Sequence, residues 1–221
     1  MSRYFQLIVF DWDGTLMDSA AQIVAAMQAA AREMGLEPIS DDGIRNIIGL
    51  GLEEACQALF PDRNPRDHRL LAAAYRRHYL APQRPASPLF EGAFQVVETL
   101  TRRGYRLAVA TGKSRAGLKR VLAESGLGPF IATTRCADET LSKPHPQMLL
   151  EIMAQVAVEP ADTLMVGDTE YDLAMAANAG TPAVGVAYGA HARERLLPYN
   201  PLACLEHIAQ LPGVLEDLER S

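Results

Sequence analysis

Apolar residues fall along this chain in two periods. Short runs rich in β-branched and aromatic residues stand at 5–10 (FQLIVF), 105–110 (YRLAVA), 163–167 (TLMVG) and 182–187 (PAVGVA), with a weaker run at 130–137 (FIATTRCA). Such runs predict strands. Between them the apolar positions recur at helical spacing. In 91–104, Phe94, Val97 and Leu100 fall on one face; 114–126 opens on Ser114 and stops at Gly126. The segment 143–156 carries Pro144 where a first helical turn tolerates proline, and 169–180 opens on Thr169 and closes on Gly180. Strands alternating with helices predict an α/β fold with a parallel sheet.

The alternation breaks between about residues 19 and 87. Only helical patterns occur there, at 20–34, 41–48, 52–60 and 66–80. Residues 81–88 (APQRPASP) read as a return linker, and the outward linker falls near Met17 and Asp18. The expected organisation is a core from residues 1–17 and 88–221, with a helical cap inserted at 18–87.

Composition adds limits. The chain has 221 residues, 48% of them hydrophobic, which suffices for one sizeable core with a smaller companion. A net charge of −6 speaks against a nucleic-acid-binding surface. The three cysteines, Cys56, Cys136 and Cys204, are widely spaced and form no metal or disulfide pattern. The first apolar run is six residues, too short for a signal peptide or a membrane helix. A soluble cytoplasmic protein, monomer or homodimer, is expected, with no membrane partner.

Candidate chemistry collects where ligands bind in open α/β sheets, beyond the carboxyl ends of the strands. The first strand is followed by Asp11, Asp13 and Thr15, the second by Thr111, Gly112 and Lys113, and "TLMVG" by Asp168 and Asp172. Lys143 follows the weak strand. Each has an ordinary alternative. Asp11-x-Asp13-Gly suits a turn, Lys143 a solvated surface, and Asp168 a helix cap with Asp172 favourably near the helix N-terminus. Together they bring three carboxylates, a hydroxyl and a lysine to one sheet edge. Crowded carboxylates suit a hard cation such as Mg²⁺, and lysine and threonine suit phosphoryl oxygens.

In these motifs the chain resembles the haloacid dehalogenase superfamily, in its phosphoglycolate-phosphatase-like branch with a helical cap. "DWDGTLMDS" (11–19), "ATG" (110–112), "SKPHP" (142–146) and "GDTEYD" (167–172) match the family's four motifs in order. The resemblance implies a Rossmann-like parallel core flanked by helices and a Mg²⁺-dependent phosphatase acting on a small phosphorylated metabolite. It implies Asp11 as the nucleophile that forms an aspartyl-phosphate, and Asp13 as acid and base. Thr111, Gly112 and Lys143 would bind the phosphoryl group. Mg²⁺ would be held by Asp11, the Asp13 backbone carbonyl and Asp168, with Asp172 in the outer shell or acting through water. Side chains two apart on an extended strand share a face, so Asp11 and Asp13 can reach one phosphorus while Trp12 packs on the other side.

Three features narrow the choice. Asp13 stands where the family's dehalogenases lack an acid. The chain's only lysines are Lys113, Lys119 and Lys143, so the cap lysine used by phosphonoacetaldehyde hydrolases and β-phosphoglucomutases is missing. Arg45 precedes the glycines at 49 and 51 and is a candidate substrate contact from the cap, the alternative being a solvated helix position. Arg76, Arg77, His68 and His78 read as a solvated helix face. His145 and the YGAH segment (188–191) are candidates near the sheet edge, with no catalytic role indicated. Phosphoglycolate is the first candidate substrate. Sugar phosphates, pyrophosphate and nucleoside monophosphates stay open, as do a phosphomutase and a non-catalytic phospholigand-binding module.

Overall fold

The computed structural model describes residues 5–220 apart from 82, 84 and 85. Six parallel strands form one sheet: β1 (Leu7–Phe10), β2 (Arg106–Thr111), β3 (Thr133–Cys136), β4 (Thr163–Gly167), β5 (Ala183–Val186) and β6 (Cys204–Leu205). Their spatial order is β3-β2-β1-β4-β5-β6. β1 lies inside the sheet, pairing with β2 through Leu7–Arg106 and with β4 through Leu7–Thr163. Every residue of β1 is buried, as expected for a parallel strand covered on both faces.

The two-residue period of β1 divides the core into two layers. Ile8 and Phe10 join a cluster with α5 (Ala93–Arg102), α6 (Arg115–Ser125) and α10 (Leu211–Arg220). Leu7 and Val9 join the opposite cluster with α7 (Gln147–Val156), α8 (Glu170–Ala179) and α9 (Arg193–Leu196). Trp12, fully buried, belongs to the first layer and donates to Met17 Sδ at 3.3 Å.

The inserted helices are α1 (Ala20–Glu33), α2 (Asp41–Arg45), α3 (Leu52–Leu59) and α4 (Pro65–Tyr79). They share a separate hydrophobic cluster that includes Ile23, Met27, Ile44 and Leu71. Asn64 starts α4 by accepting from the Arg66 and Asp67 amides, and Pro65 supplies the first-turn proline. The outgoing and returning chains run side by side: Asp18 N donates to Pro88 O at 2.9 Å, and Phe90 N to Leu16 O at 3.0 Å. The expected return linker at 81–88 includes residues 82, 84 and 85, which lie outside the described residues.

Two expectations need correction. The helix expected from residue 143 begins at Gln147, because Pro144 and Pro146 each lack the amide a helix interior needs. Lys143 thus sits on a loop, before a cis Lys143–Pro144 bond. His68 is not on a solvated face: it is buried, with Nε2 2.8 Å from the Phe60 carbonyl.

Candidate active site

The strand order reverses direction between β1 and β4, the place where open α/β sheets open a crevice. Asp11 follows β1 there and Asp168 follows β4. Asp11 N donates to Val166 O at 2.9 Å, which continues the strand pairing to the first carboxylate. Beyond it the chain turns sharply. Leu16 N and Met17 N both donate to Trp12 O at 3.0 Å, with Gly14 in the left-handed region at φ 82°. Asp13 is held at the mouth of this turn.

Asp11, Asp168 and Asp172 are all buried, and each offers a carboxylate oxygen within 4.8 Å of the others. Lys143 Nζ lies 2.7 Å from Asp11 Oδ1 and 2.6 Å from Asp172 Oδ1, with a side chain wholly out of solvent. Asp172 also completes a capping box at the start of α8. Its Oδ2 accepts from Thr169 N at 3.1 Å and Thr169 Oγ1 at 2.7 Å. Asp168 Oδ1 accepts from Thr15 Oγ1 at 2.9 Å, and its Oδ2 from Ala190 N at 2.7 Å. Gly189 packs so closely here that a Cβ would overlap the Asp168 side chain and the Gly14 carbonyl. The YGAH segment therefore serves to hold Asp168.

The electrostatics of this cluster are unbalanced. Three carboxylates, if all ionised, facing one ammonium would carry a formal net charge of −2 in a dry site. Burial pushes the Asp11 carboxyl well above the usual range; Lys143 opposes this, while Asp172 and Asp168 add to it. Burial, then Asp172, pushes Asp168 up to about 7. Burial alone would lower the Lys143 ammonium, but Asp11 and Asp172 outweigh it and hold it above its ordinary value. Asp11 Oδ2 is buried with no hydrogen-bond partner among the described residues. An orphaned, desolvated carboxylate oxygen is costly. A divalent cation at this point would bring the sum to zero, so the donor set fits Mg²⁺.

Asp13 has a different setting. Lys113 Nζ is 2.9 Å from its Oδ1, and Ser19 Oγ donates to the same oxygen. Lys113 also donates to Tyr79 Oη at 2.7 Å and lies 4.6 Å from the Tyr79 ring centre. A core lysine thus joins Asp13 to the last turn of α4. Thr111, fully buried, accepts from Lys113 N at 3.2 Å through Oγ1, which leaves its hydroxyl hydrogen free to donate elsewhere.

A cavity of about 250 Å³ lies between the sheet edge and the inserted helices. Asp11, Asp13, Gly112 and Lys113 line it from the core. Thr111, Lys143, Asp168 and Asp172 are buried and do not line it. Arg45 is half-buried on α2 and is not among the lining residues, whereas Arg76 is. His145 accepts from Gln147 N at 3.2 Å, away from the cavity. Lys113 stood beside the second motif in the sequence without a role. Its partner Tyr79 is 34 residues away in the inserted helices, so nothing local marked the pair.

Residues 8–186, most of the chain, match the family model of haloacid dehalogenase-like hydrolases. The chain belongs to the haloacid dehalogenase-like hydrolase family. A protein of Dickeya dadantii named "Probable phosphatase IndB" is 35% identical over 96% of this chain and 94% of its own length. A phosphoglycolate phosphatase of Agrobacterium fabrum is 28% identical, over 96% and 93%. A crystal structure from Haemophilus somnus, described as a predicted phosphoglycolate phosphatase, superposes with a TM-score of 0.87 at 22% identity, covering 97% of this chain and 99% of that one. This haloacid dehalogenase-like hydrolase falls in the phosphoglycolate-phosphatase-like branch and is a hydrolase of phosphoric monoesters. Among its described residues, no helix is long and apolar enough to cross a membrane.

Proposed function

We propose that the protein is a Mg²⁺-dependent phosphatase that removes phosphate from a small metabolite through an aspartyl-phosphate on Asp11. The observation that carries this is Asp11 itself: one oxygen is paired with Lys143 and the other is buried without a partner, beside Asp168. Asp11, Asp168 and the Asp13 backbone carbonyl would hold Mg²⁺, with Asp172 behind them. The bound ion would supply positive charge against the carboxylates and the phosphoryl oxygens.

The protein's own groups divide the work. Asp11 attacks phosphorus, and the bond from phosphorus to the ester oxygen breaks. Asp13 gives its proton to the departing alkoxide, which leaves as the alcohol. Asp13 then takes a proton from the water that attacks the aspartyl-phosphate, and inorganic phosphate departs from a restored Asp11. Lys143 neutralises charge at Asp11, and the Thr111 hydroxyl donates to a phosphoryl oxygen. Little further covalent help is needed, since phosphoryl transfer depends mainly on positioning and charge. The helices at 18–87 act as a cap on the core formed by 1–17 and 88–221, and limit bulk solvent around the acyl phosphate to the water that Asp13 activates. The three free cysteines support a cytoplasmic setting.

Phosphoglycolate, named in the relative from Agrobacterium fabrum, is the reference substrate within this class. The test is hydrolysis of p-nitrophenyl phosphate after chelation and after Mg²⁺ is returned. Activity should vanish and recover. Activity that is unaffected by chelation would refute the metal-dependent scheme.

A further inference from the structure

We infer that the leaving group this enzyme accepts is a neutral alcohol bearing an apolar ring, not a small carboxylate such as glycolate. This deepens the phosphatase proposal and rests on it for the orientation of the ester.

Most of the cavity lining contributed by the inserted helices is hydrocarbon or aromatic. Ile23 and Met27 come from α1, Ile48 and Leu50 from the turn after α2, and Tyr75 and Tyr79 from α4. The two tyrosines stack, with ring centres 5.4 Å apart and planes 17° from parallel, presenting one aromatic wall. Such walls bind rings through apolar burial and ring packing. The volume agrees. A dry cavity of about 150 Å³ holds benzene, so about 250 Å³ accommodates a phosphoryl group with a ring behind it.

Charge excludes the alternative. Glu53, Glu54, Asp138 and Arg76 line the cavity, but all four are solvent-exposed, so their fields are screened at the rim. Their sum is acidic. The one buried ammonium that lines the cavity is Lys113, already paired with Asp13 at 2.9 Å. The carboxyl carbon of glycolate lies two bonds from the ester oxygen, so it would be enclosed in the cavity with the apolar walls beside it. The cations nearest it would be Lys113, already paired with Asp13, and the solvent-screened Arg76, so burial of its charge is disfavoured. A neutral ring at the same depth replaces water with matching surface.

The test compares benzyl phosphate with phosphoglycolate, since both release an unactivated alcohol. We expect kcat/KM for benzyl phosphate to exceed that for phosphoglycolate at least tenfold in the Mg²⁺-loaded enzyme. Leu52→Arg, which places a cation in the lining, should shift that ratio toward phosphoglycolate at least tenfold. Phosphoglycolate equal to or better than benzyl phosphate would overturn the inference while leaving the phosphatase proposal standing. If neither ester is hydrolysed, the p-nitrophenyl phosphate assay decides the phosphatase proposal, and calorimetric binding of benzylphosphonate against phosphonoacetate decides the inference. Tenfold tighter benzylphosphonate supports it; equal or weaker binding, or none, overturns it.

Discussion

Replacing Lys143 with methionine keeps the length of the side chain and removes its charge. The lysine is wholly buried and pairs at 2.7 Å with Asp11 and 2.6 Å with Asp172. With all three carboxylates ionised, its loss changes the cluster's formal charge from −2 to −3 with no solvent to screen it. Removing one partner of a buried ion pair costs about 3–5 kcal/mol, because the charge left behind is uncompensated. For a chain of this size each kcal/mol corresponds to about 2–4 °C in Tm, so Lys143→Met should melt about 6–20 °C lower. The assay is thermal unfolding followed by circular dichroism at neutral pH, with and without Mg²⁺. Mg²⁺ should raise Tm more in the variant than in the wild type, since it supplies the missing positive charge. Loss of a donor aimed at the reacting phosphoryl group should also lower kcat by about 10²–10³. A variant that melts within about 2 °C of the wild type would refute the assignment of Lys143 as the counterion of this site.

Two further outcomes follow from neighbouring groups. Gly189→Ala should displace Asp168, because a Cβ there overlaps that side chain; overpacking of this kind costs about 1–3 kcal/mol. A Mg²⁺ titration of kcat/KM should show at least a tenfold loss, and an unchanged titration would count against Asp168 as a ligand. His191 links the helical unit to the core. Its Nε2 lies 3.1 Å from the Asn46 carbonyl and its Nδ1 accepts from Glu170 N at 3.2 Å, so the neutral tautomer is required. Burial, with Arg195 nearby, holds its pKa below the ordinary 6.5, against the Asn46 carbonyl, Glu170 and Asp172, which raise it. The folded state therefore has the full contribution above about pH 6.5 and loses it as pH falls below that value. Denaturant unfolding should show a loss of less than about 1.4 kcal/mol per pH unit that is absent in His191→Gln; identical pH profiles would refute this.

The chain's strands and helical insertion were legible because their periods are clean. β1 is fully buried, so its apolar run is continuous, and α5 and α6 carry regular apolar faces. The C-terminal end was not read. β6 has only two residues and α9 four, too few to express a period, whereas the ten residues of α10 carry a readable apolar face with Leu211 and Leu215 buried. The motifs of Asp11, Thr111 and Asp168 were legible because each stands at the end of a strand, and the parallel sheet brings strand ends together; Lys143 stands on a loop beyond β3. What escaped were contacts that depend on how the inserted helices pack. Arg45 was singled out for its place before a glycine turn, yet Arg76 on α4 lines the cavity. Lys113 was noticed without a role because Tyr79 reaches it from another unit. Asp172 was expected in the metal's outer shell, and its second position, as the cap of α8 and partner of Lys143, needs the cluster geometry to be seen.

The central claim is that Asp11 carries the phosphoryl group during turnover. The most direct measurement is rapid acid quench of the Mg²⁺-loaded enzyme with excess p-nitrophenyl phosphate, followed by borohydride reduction and peptide mass spectrometry. An acyl phosphate is reduced by borohydride at the carboxyl carbon, so residue 11 should be recovered as homoserine. Asp11→Asn should give no such product and no hydrolysis. Hydrolysis in which residue 11 is recovered only as unmodified aspartate under conditions that trap acyl phosphates, or which persists in Asp11→Asn, would contradict the account.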